Sequence, residues 1–162
     1  PSLKILYISL VLNNFFLLIY ICMHENFFYK LKVYYEDTDA GGVVYYANYL
    51  KFIERARTEA LAALGFSNKK IKDDFGSLIL VKSCNIDYKI SARLEEELTV
   101  RSFVKSITKT SFFMSQFITR DDNLIAEAKT HLVFVNKEGK PMRIPDSLFE
   151  DFKPYFCETI KP

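Results

Sequence analysis

Residues 33–57 read V-Y-Y-E-D-T-D-A-G-G-V-V-Y-Y-A-N-Y-L-K-F-I-E-R-A-R, and the fold turns on this stretch. It joins the end of a β-patterned run to an acidic turn with two adjacent glycines, and that turn to the start of a long amphipathic helix. Gly41 and Gly42 admit positive φ and let a ligand approach the backbone. The helix beyond them presents unpaired N–H groups at a positive dipole end. Asp39 stands just before both glycines. Two readings fit these residues: a carboxylate beside an amide-rich helix end, or a turn in which Asp37 and Asp39 bond their own backbone and complement the dipole.

Upstream, residues 27–35 alternate Tyr29, Leu31, Val33 and Tyr35 against Lys30 and Lys32, the pattern of a half-buried strand. Downstream, Tyr49, Leu50, Ile53, Ala56, Ala60, Leu61 and Leu64 recur at helical spacing. This predicts a helix over residues 46–64, with Asn48 or a neighbour as its cap and Gly65 in the left-handed position after its end. A polar loop through Asp73, Asp74 and Gly76 follows. Four β-patterned segments come next, at residues 78–88, 98–107, 111–120 and 124–135, joined by short turn-like connections that argue for antiparallel pairing of neighbours in succession. A brief helix is expected over residues 147–152.

A helix of this length with one apolar face must lie against the sheet, so the fold class is α+β: a curved antiparallel sheet around one long central helix. The exposed sheet edges are naturally covered by pairing two protomers into a continuous sheet, which predicts a homo-oligomer.

Composition narrows the function. The 162 residues carry 49% apolar and 26% charged side chains, enough for one domain with its own core. A formal charge of +2 with scattered basic residues offers no footprint for nucleic acid. Cys22, Cys84 and Cys157 are widely spaced, with only His24 and His131 as co-ligands, so neither a disulfide framework nor a metal site is indicated. There is no G-x-S-x-G, phosphate-binding loop, G-x-G-x-x-G or H-E-x-x-H. His131 alternates with Lys129 and Glu127 and is expected to face solvent or a subunit contact. Residues 1–22 form a hydrophobic extension dominated by Ile, Leu, Phe, Tyr and Val. It is read as material before a native start at Met23 in preference to a membrane anchor, leaving residues 23–162 as a single domain.

The acidic turn is what remains for chemistry. A carboxylate at Asp39, near helix amides able to hold a developing oxyanion, suits acyl transfer, as general base or as nucleophile. Beyond this, Y-Y-E-D-T-D-A-G-G-V-V-Y with N-Y-L-K-F-x-E-R-A-R resembles the hot-dog-fold 4-hydroxybenzoyl-CoA thioesterase family. I-D-Y-K-I-S-A-R-L-E-E-E-L-T-V, L-I-A-E-A-K-T-H-L-V-F-V-N and K-P-M-R-I-P resemble the same family's later segments. The likeness spans residues 28–152 and is strongest to the YbgC-type acyl-CoA thioesterases linked to the Tol-Pal envelope system.

The resemblance implies thioester hydrolysis without metal or cofactor. Asp39 matches the catalytic carboxylate, the backbone N–H at Tyr46 the oxyanion donor, and Tyr35 an active-site tyrosine. Gly42, Val43 and Ala47 lie on the loop that would hold the substrate. Lys89, Arg93 and Lys109, at strand ends and turns, are candidates for the coenzyme phosphates, although a solvated charge is the ordinary role of such residues. YbgC-type sequences usually carry histidine where this chain has Tyr46, which loosens substrate preference and gives Tyr46 an orienting role. The implied enzyme acts on a short-chain, aromatic or other acyl-CoA, with acyl carrier protein as an alternative carrier. It is a cytoplasmic homo-oligomer, a dimer or a homotetramer, sited in the cytoplasm or at the inner face of the cytoplasmic membrane. The alternative from another class is a non-catalytic acyl-CoA or acyl-carrier binding module of an envelope complex.

Overall fold

A computed structural model describes residues 27–155. The hydrophobic stretch before Met23, with Cys22, His24 and Cys157, lies outside the described residues. Five strands form one antiparallel sheet: β1 Phe27–Lys32, β2 Leu78–Tyr88, β3 Glu97–Ile107, β4 Ser111–Arg120 and β5 Asn123–Val135, in the order β1-β3-β4-β5-β2. The long helix α1, Asn48–Ala63, lies over one face, followed by α2 Asn68–Phe75; α3, Asp146–Phe152, comes after the last strand.

The architecture is the α+β arrangement expected, with three differences. First, β2 does not pair with β3. It lies at the opposite edge against β5, with Leu78 opposite Val135 and Tyr88 opposite Ala126, so only β3, β4 and β5 run as a meander. The connection between β2 and β3 is not a tight turn but a crossing along the sheet end. Lys89 N–H donates to Ile125 O at 2.9 Å, Ala92 O accepts from Val44 N–H at 2.8 Å, and Glu96 O accepts from Val33 N–H at 2.9 Å.

Second, the expected polar loop holds α2. Its cap is Ser67, whose hydroxyl accepts from Lys70 N–H, and its end is Gly76 at φ 63; it docks through Ile71, which is fully buried. Third, β1 stops at Lys32 and the chain turns into a 3-10 segment, Tyr35–Asp37, because the Asp37 carboxylate captures the Tyr34 N–H at 2.9 Å.

The core divides along α1. Under its first half, Tyr49, Phe52, Ile53 and Ala56 meet Leu98, Val100, Ile118 and Ile125. Under its second half, Leu61 meets Phe112, Leu132 and Phe134, and Ile144, Leu148 and Phe152 close that end. Phe52 has no exposed surface; burying a side chain of this size contributes about 2–3 kcal/mol. Gln116 is also fully buried. Its amide donates to Ile53 O at 2.9 Å and to Ser102 Oγ at 3.0 Å, so the polar group is satisfied where it ties helix to sheet. Among the described residues no helix is long and apolar enough to cross a membrane.

Candidate active site

The loop between β1 and α1 is built by its two aspartates in different ways. Asp37 is 3% exposed. Its carboxylate accepts from Tyr34 N–H, and its carbonyl accepts from Tyr45 N–H at 2.8 Å and from Asn48 Nδ2 at 2.9 Å. Asn48, expected as a cap, is instead the first helical residue, preceded by Ala47; its buried amide fastens the helix start to the loop. Asp39 is exposed. Its N–H donates to Val43 O, its carbonyl accepts from Gly42 N–H, and its Oδ1 accepts from Gly41 N–H at 2.8 Å. Its Oδ2 meets no donor among the described residues. The fold back onto Gly41 is close: a Cβ there would stand 3.0 Å from Asp39 Oδ1. Gly42, at φ 69, takes the left-handed position that closes the turn.

Helix α1 begins just beyond. The Tyr46 N–H donates to no group among the described residues, whereas the flanking Tyr45 and Asn48 N–H groups are both satisfied by loop carbonyls. A free backbone N–H at a helix start can hold a carbonyl oxygen, and a carboxylate with one free oxygen can take a proton. Both residues line one cavity of about 320 Å³, whose other walls are Val43 and Val44, Tyr49 on α1, and Tyr88 to Ser91 at the exit of β2. The cavity is held in shape by tyrosines. Tyr88 Oη donates to Tyr46 O at 3.0 Å, Tyr49 Oη accepts from Ala92 N–H at 3.0 Å, and the Tyr49 and Tyr88 rings meet edge to face at 5.3 Å.

Burial pushes the Tyr49 phenol up, against the lowering effect of its bond from Ala92; burial also raises Tyr88. On the exposed side, the Tyr45 phenol is raised by its hydrogen bond with Tyr46 and then by charge, Asp39 included. Tyr49 and Tyr88 therefore present neutral hydroxyls, and Asp39 is the acid among the residues lining the cavity.

The structure thus brings Asp39, Val43, Tyr46 and Lys89 onto one cavity, with Gly42 and Ala47 in its backbone frame. Lys89 sits at the rim, ion-paired with Asp87, which raises its ammonium pKa. Arg93 is adjacent but not in the wall: its backbone bridges to Val43, and its N–H donates to Glu96 Oε2 at 2.9 Å. Tyr35 is 81% exposed and stands outside the cavity. Lys109 lies in the turn between β3 and β4, at the other end of the sheet, where its carbonyl accepts from Ile144 N–H.

Tyr49, Tyr88, Ile90 and Ser91 are wall residues that sequence reasoning missed. Tyr49 follows Tyr46 by three residues, and Tyr88 precedes Lys89, so spacing around the chosen residues was the available signal. His131 stacks on Phe113 with centroids 4.0 Å apart, on the sheet face away from α1 and from the cavity.

Comparison with known proteins follows the same segment. Residues 33–152 match the model of the thioesterase-like superfamily. An acyl-CoA thioester hydrolase YbgC of Escherichia coli is 38% identical over 129 residues, 78% of this chain and 96% of that protein. An acyl-CoA thioesterase YbgC of Haemophilus influenzae is 36% identical over 124 residues, 76% of this chain and 91% of the relative. The crystal structure of a probable thioesterase from Bartonella henselae superposes with a TM-score of 0.72 at 32% identity, covering 75% of this chain and 100% of that one.

Proposed function

We propose, from the premise that this chain belongs to the thioesterase-like superfamily and is an acyl-CoA thioester hydrolase of hot-dog fold, that Asp39 and the Tyr46 N–H carry its reaction. The observation behind this is their shared cavity: a carboxylate with one oxygen tied to Gly41, beside a helix-start N–H that donates to nothing described. The thioester carbonyl oxygen accepts from the Tyr46 N–H. Asp39 takes a proton from water as the water oxygen adds to the carbonyl carbon, and the oxyanion is held by that N–H and the helix dipole. Collapse breaks the carbon–sulfur bond, and the proton returns to the departing thiolate. In the nucleophilic variant Asp39 itself adds, and water resolves the anhydride.

The fixed oxygen on Gly41 supports either route, since it leaves the second oxygen oriented. Tyr46, with Tyr88 behind it, shapes the acyl end; Tyr35 remains a candidate there on the family likeness alone. Gly42, Val43 and Ala47 frame the thioester, and Lys89 and Arg93 are the cations nearest the cavity for coenzyme phosphates. The free edge of β2 supports a dimer closed strand to strand, and a dimer of such dimers. Lys109 reaches a coenzyme only across such a pair, in which the antiparallel partner's far end lies beside this cavity. Acyl carrier protein as carrier, a cytoplasmic location and a Tol-Pal link rest on the likeness to YbgC-type relatives.

The test is thiol release over a panel of acyl-CoA thioesters from short aliphatic to aromatic. Turnover of at least one class is expected. Tight binding across the panel without turnover supports the binding-module reading that Tyr46 in place of histidine suggests.

A further inference from the structure

Tyr46, two residues before α1, leads into a stripe along one flank of the helix. Leu50, Glu54, Arg57 and Leu61 follow at spacings that keep one face of a helix, and this flank looks across to the inner side of β2. Tyr46, Leu50, Tyr88 and Val81 are all exposed apolar or aromatic side chains along it. The stripe ends at a second cavity of about 140 Å³, walled by Ala60, Leu61, Val81, Phe112, Met114 and Leu132 with Glu54 and Arg57 on its helix side. A space of this size takes a few methylene groups or one ring.

Arg57 is an unusual wall for it. The guanidinium is half-buried, which lowers its pKa from the ordinary value, and no carboxylate forms an ion pair with it among the described residues. Its hydrogen-bond partner is Gln116, whose Oε1 accepts from the arginine Nη1 at 3.0 Å. Gln116 is itself fully buried and fixed by Ile53 O and Ser102 Oγ, so the guanidinium is oriented from beneath. Glu54 is near enough to act on the arginine charge, and its Oε1 accepts from Thr58 Oγ1 at 2.9 Å. An apolar cavity with an oriented guanidinium that has N–H groups beyond the one given to Gln116, and a neighbouring carboxylate, calls for a ligand end that both accepts and donates a hydrogen bond.

We infer that the groove along α1 takes the acyl chain and that the cavity at Arg57 and Glu54 binds a hydroxyl at the chain's far end, which makes ω-hydroxyacyl thioesters a preferred substrate class. The inference rests on the Asp39 reading of the site. Arg57 is eleven residues beyond Tyr46, about 16 Å at a helical rise of 1.5 Å per residue. Carbon–carbon bonds of about 1.5 Å advance an extended zigzag chain by about 1.25 Å each, so roughly a dozen carbons span about 14 Å, and a terminal hydroxyl with its hydrogen bond covers the rest. The hydroxyl accepts from Arg57 and donates to Glu54. A terminal carboxylate would satisfy only the first and meet the charge of the second, and a terminal methyl satisfies neither.

The test compares kcat/KM for dodecanoyl-CoA, 12-hydroxydodecanoyl-CoA and the CoA monothioester of dodecanedioic acid, in the full chain and in Arg57→Met. The hydroxylated substrate is expected to exceed dodecanoyl-CoA by about tenfold, as one hydrogen bond to a charged donor implies, with the diacid between them. The ratio should fall to about one in Arg57→Met. Because the ratio is taken within each protein, a loss of folded fraction cancels. A wild-type ratio of one, a preference for the diacid, or a ratio that survives in Arg57→Met overturns the inference. Hexanoyl-CoA, too short to reach the cavity, separates the two levels. If it is hydrolysed while the ratio is one, the far-end site falls and the Asp39 reading stands; if no thioester of any length is turned over, both fall.

Discussion

The two halves of the loop between β1 and α1 use the same residue type for opposite ends. Asp37 is buried, and both its carboxylate and its carbonyl are engaged by backbone and side-chain donors. Asp39, two residues on, is exposed and keeps one oxygen free, with its other oxygen fixed by Gly41. The first half makes a frame, and the second leaves a carboxylate oxygen open at the cavity, the group our proposal assigns to the reaction. Burial and satisfied donors convert a carboxylate into structure; partial satisfaction at a cavity leaves it available for proton transfer.

Variants can break this contrast, beginning with the largest effect. Tyr46→Pro deletes the N–H assigned to the oxyanion while keeping a residue tolerated near a helix start. Turnover should fall about 10²–10³-fold with little change in the affinity for CoA, measured by steady-state kinetics and calorimetry. Asp37→Ala leaves the Tyr34 N–H without its acceptor in a partly buried setting, so the unfolding free energy should drop by about 1 kcal/mol in a denaturant titration, while kcat per folded molecule changes less. Gly41→Ala sets a methyl against Asp39 Oδ1, at 3.0 Å. Swinging the carboxylate out of line should cost about tenfold in kcat with the thermal midpoint nearly unchanged.

The smallest effect concerns the crossing segment behind the site. Burial works to raise the Glu96 carboxyl, but its hydrogen bonds with Arg120, the Arg93 N–H and the two arginine charges outweigh it, and its pKa lies below the ordinary 4.5. A carboxyl lowered on folding contributes stability that is present above its unfolded pKa and lost as pH falls through the folded one. Both partners are about one-quarter exposed, with side-chain accessibilities of 28% and 24%, so the increment is below about 1 kcal/mol. Glu96→Gln should lack it at neutral pH and show a flatter loss of stability below pH 4.5.

The strands, the long helix and the acidic turn were legible because each is a local periodicity or a local turn chemistry. The position of β2 was not. Its alternation fits either neighbour, and what sends it to the far edge is the crossing of residues 89–96, held by Ile125, Val44 and Val33. That misplacement has a functional cost: Tyr88, Ile90 and Ser91 enter the cavity only because β2 pairs with β5. Helix α2 was hidden by its composition, since Ile71 alone of its residues is buried. Asp39 and Tyr46 lie close in sequence, and both line the cavity. Lys109 and Tyr35 were chosen on turn chemistry and resemblance, and neither lines the cavity.

The division of labour within the loop is tested most directly by Asp39→Asn. In a single-turnover experiment with excess protein and an acyl-CoA that the wild type hydrolyses, the variant should bind the thioester and hold it intact, with the rate of thiol release down about 10³-fold and the unfolding midpoint at the wild-type value. Thiol release at the wild-type rate by folded Asp39→Asn would contradict the account.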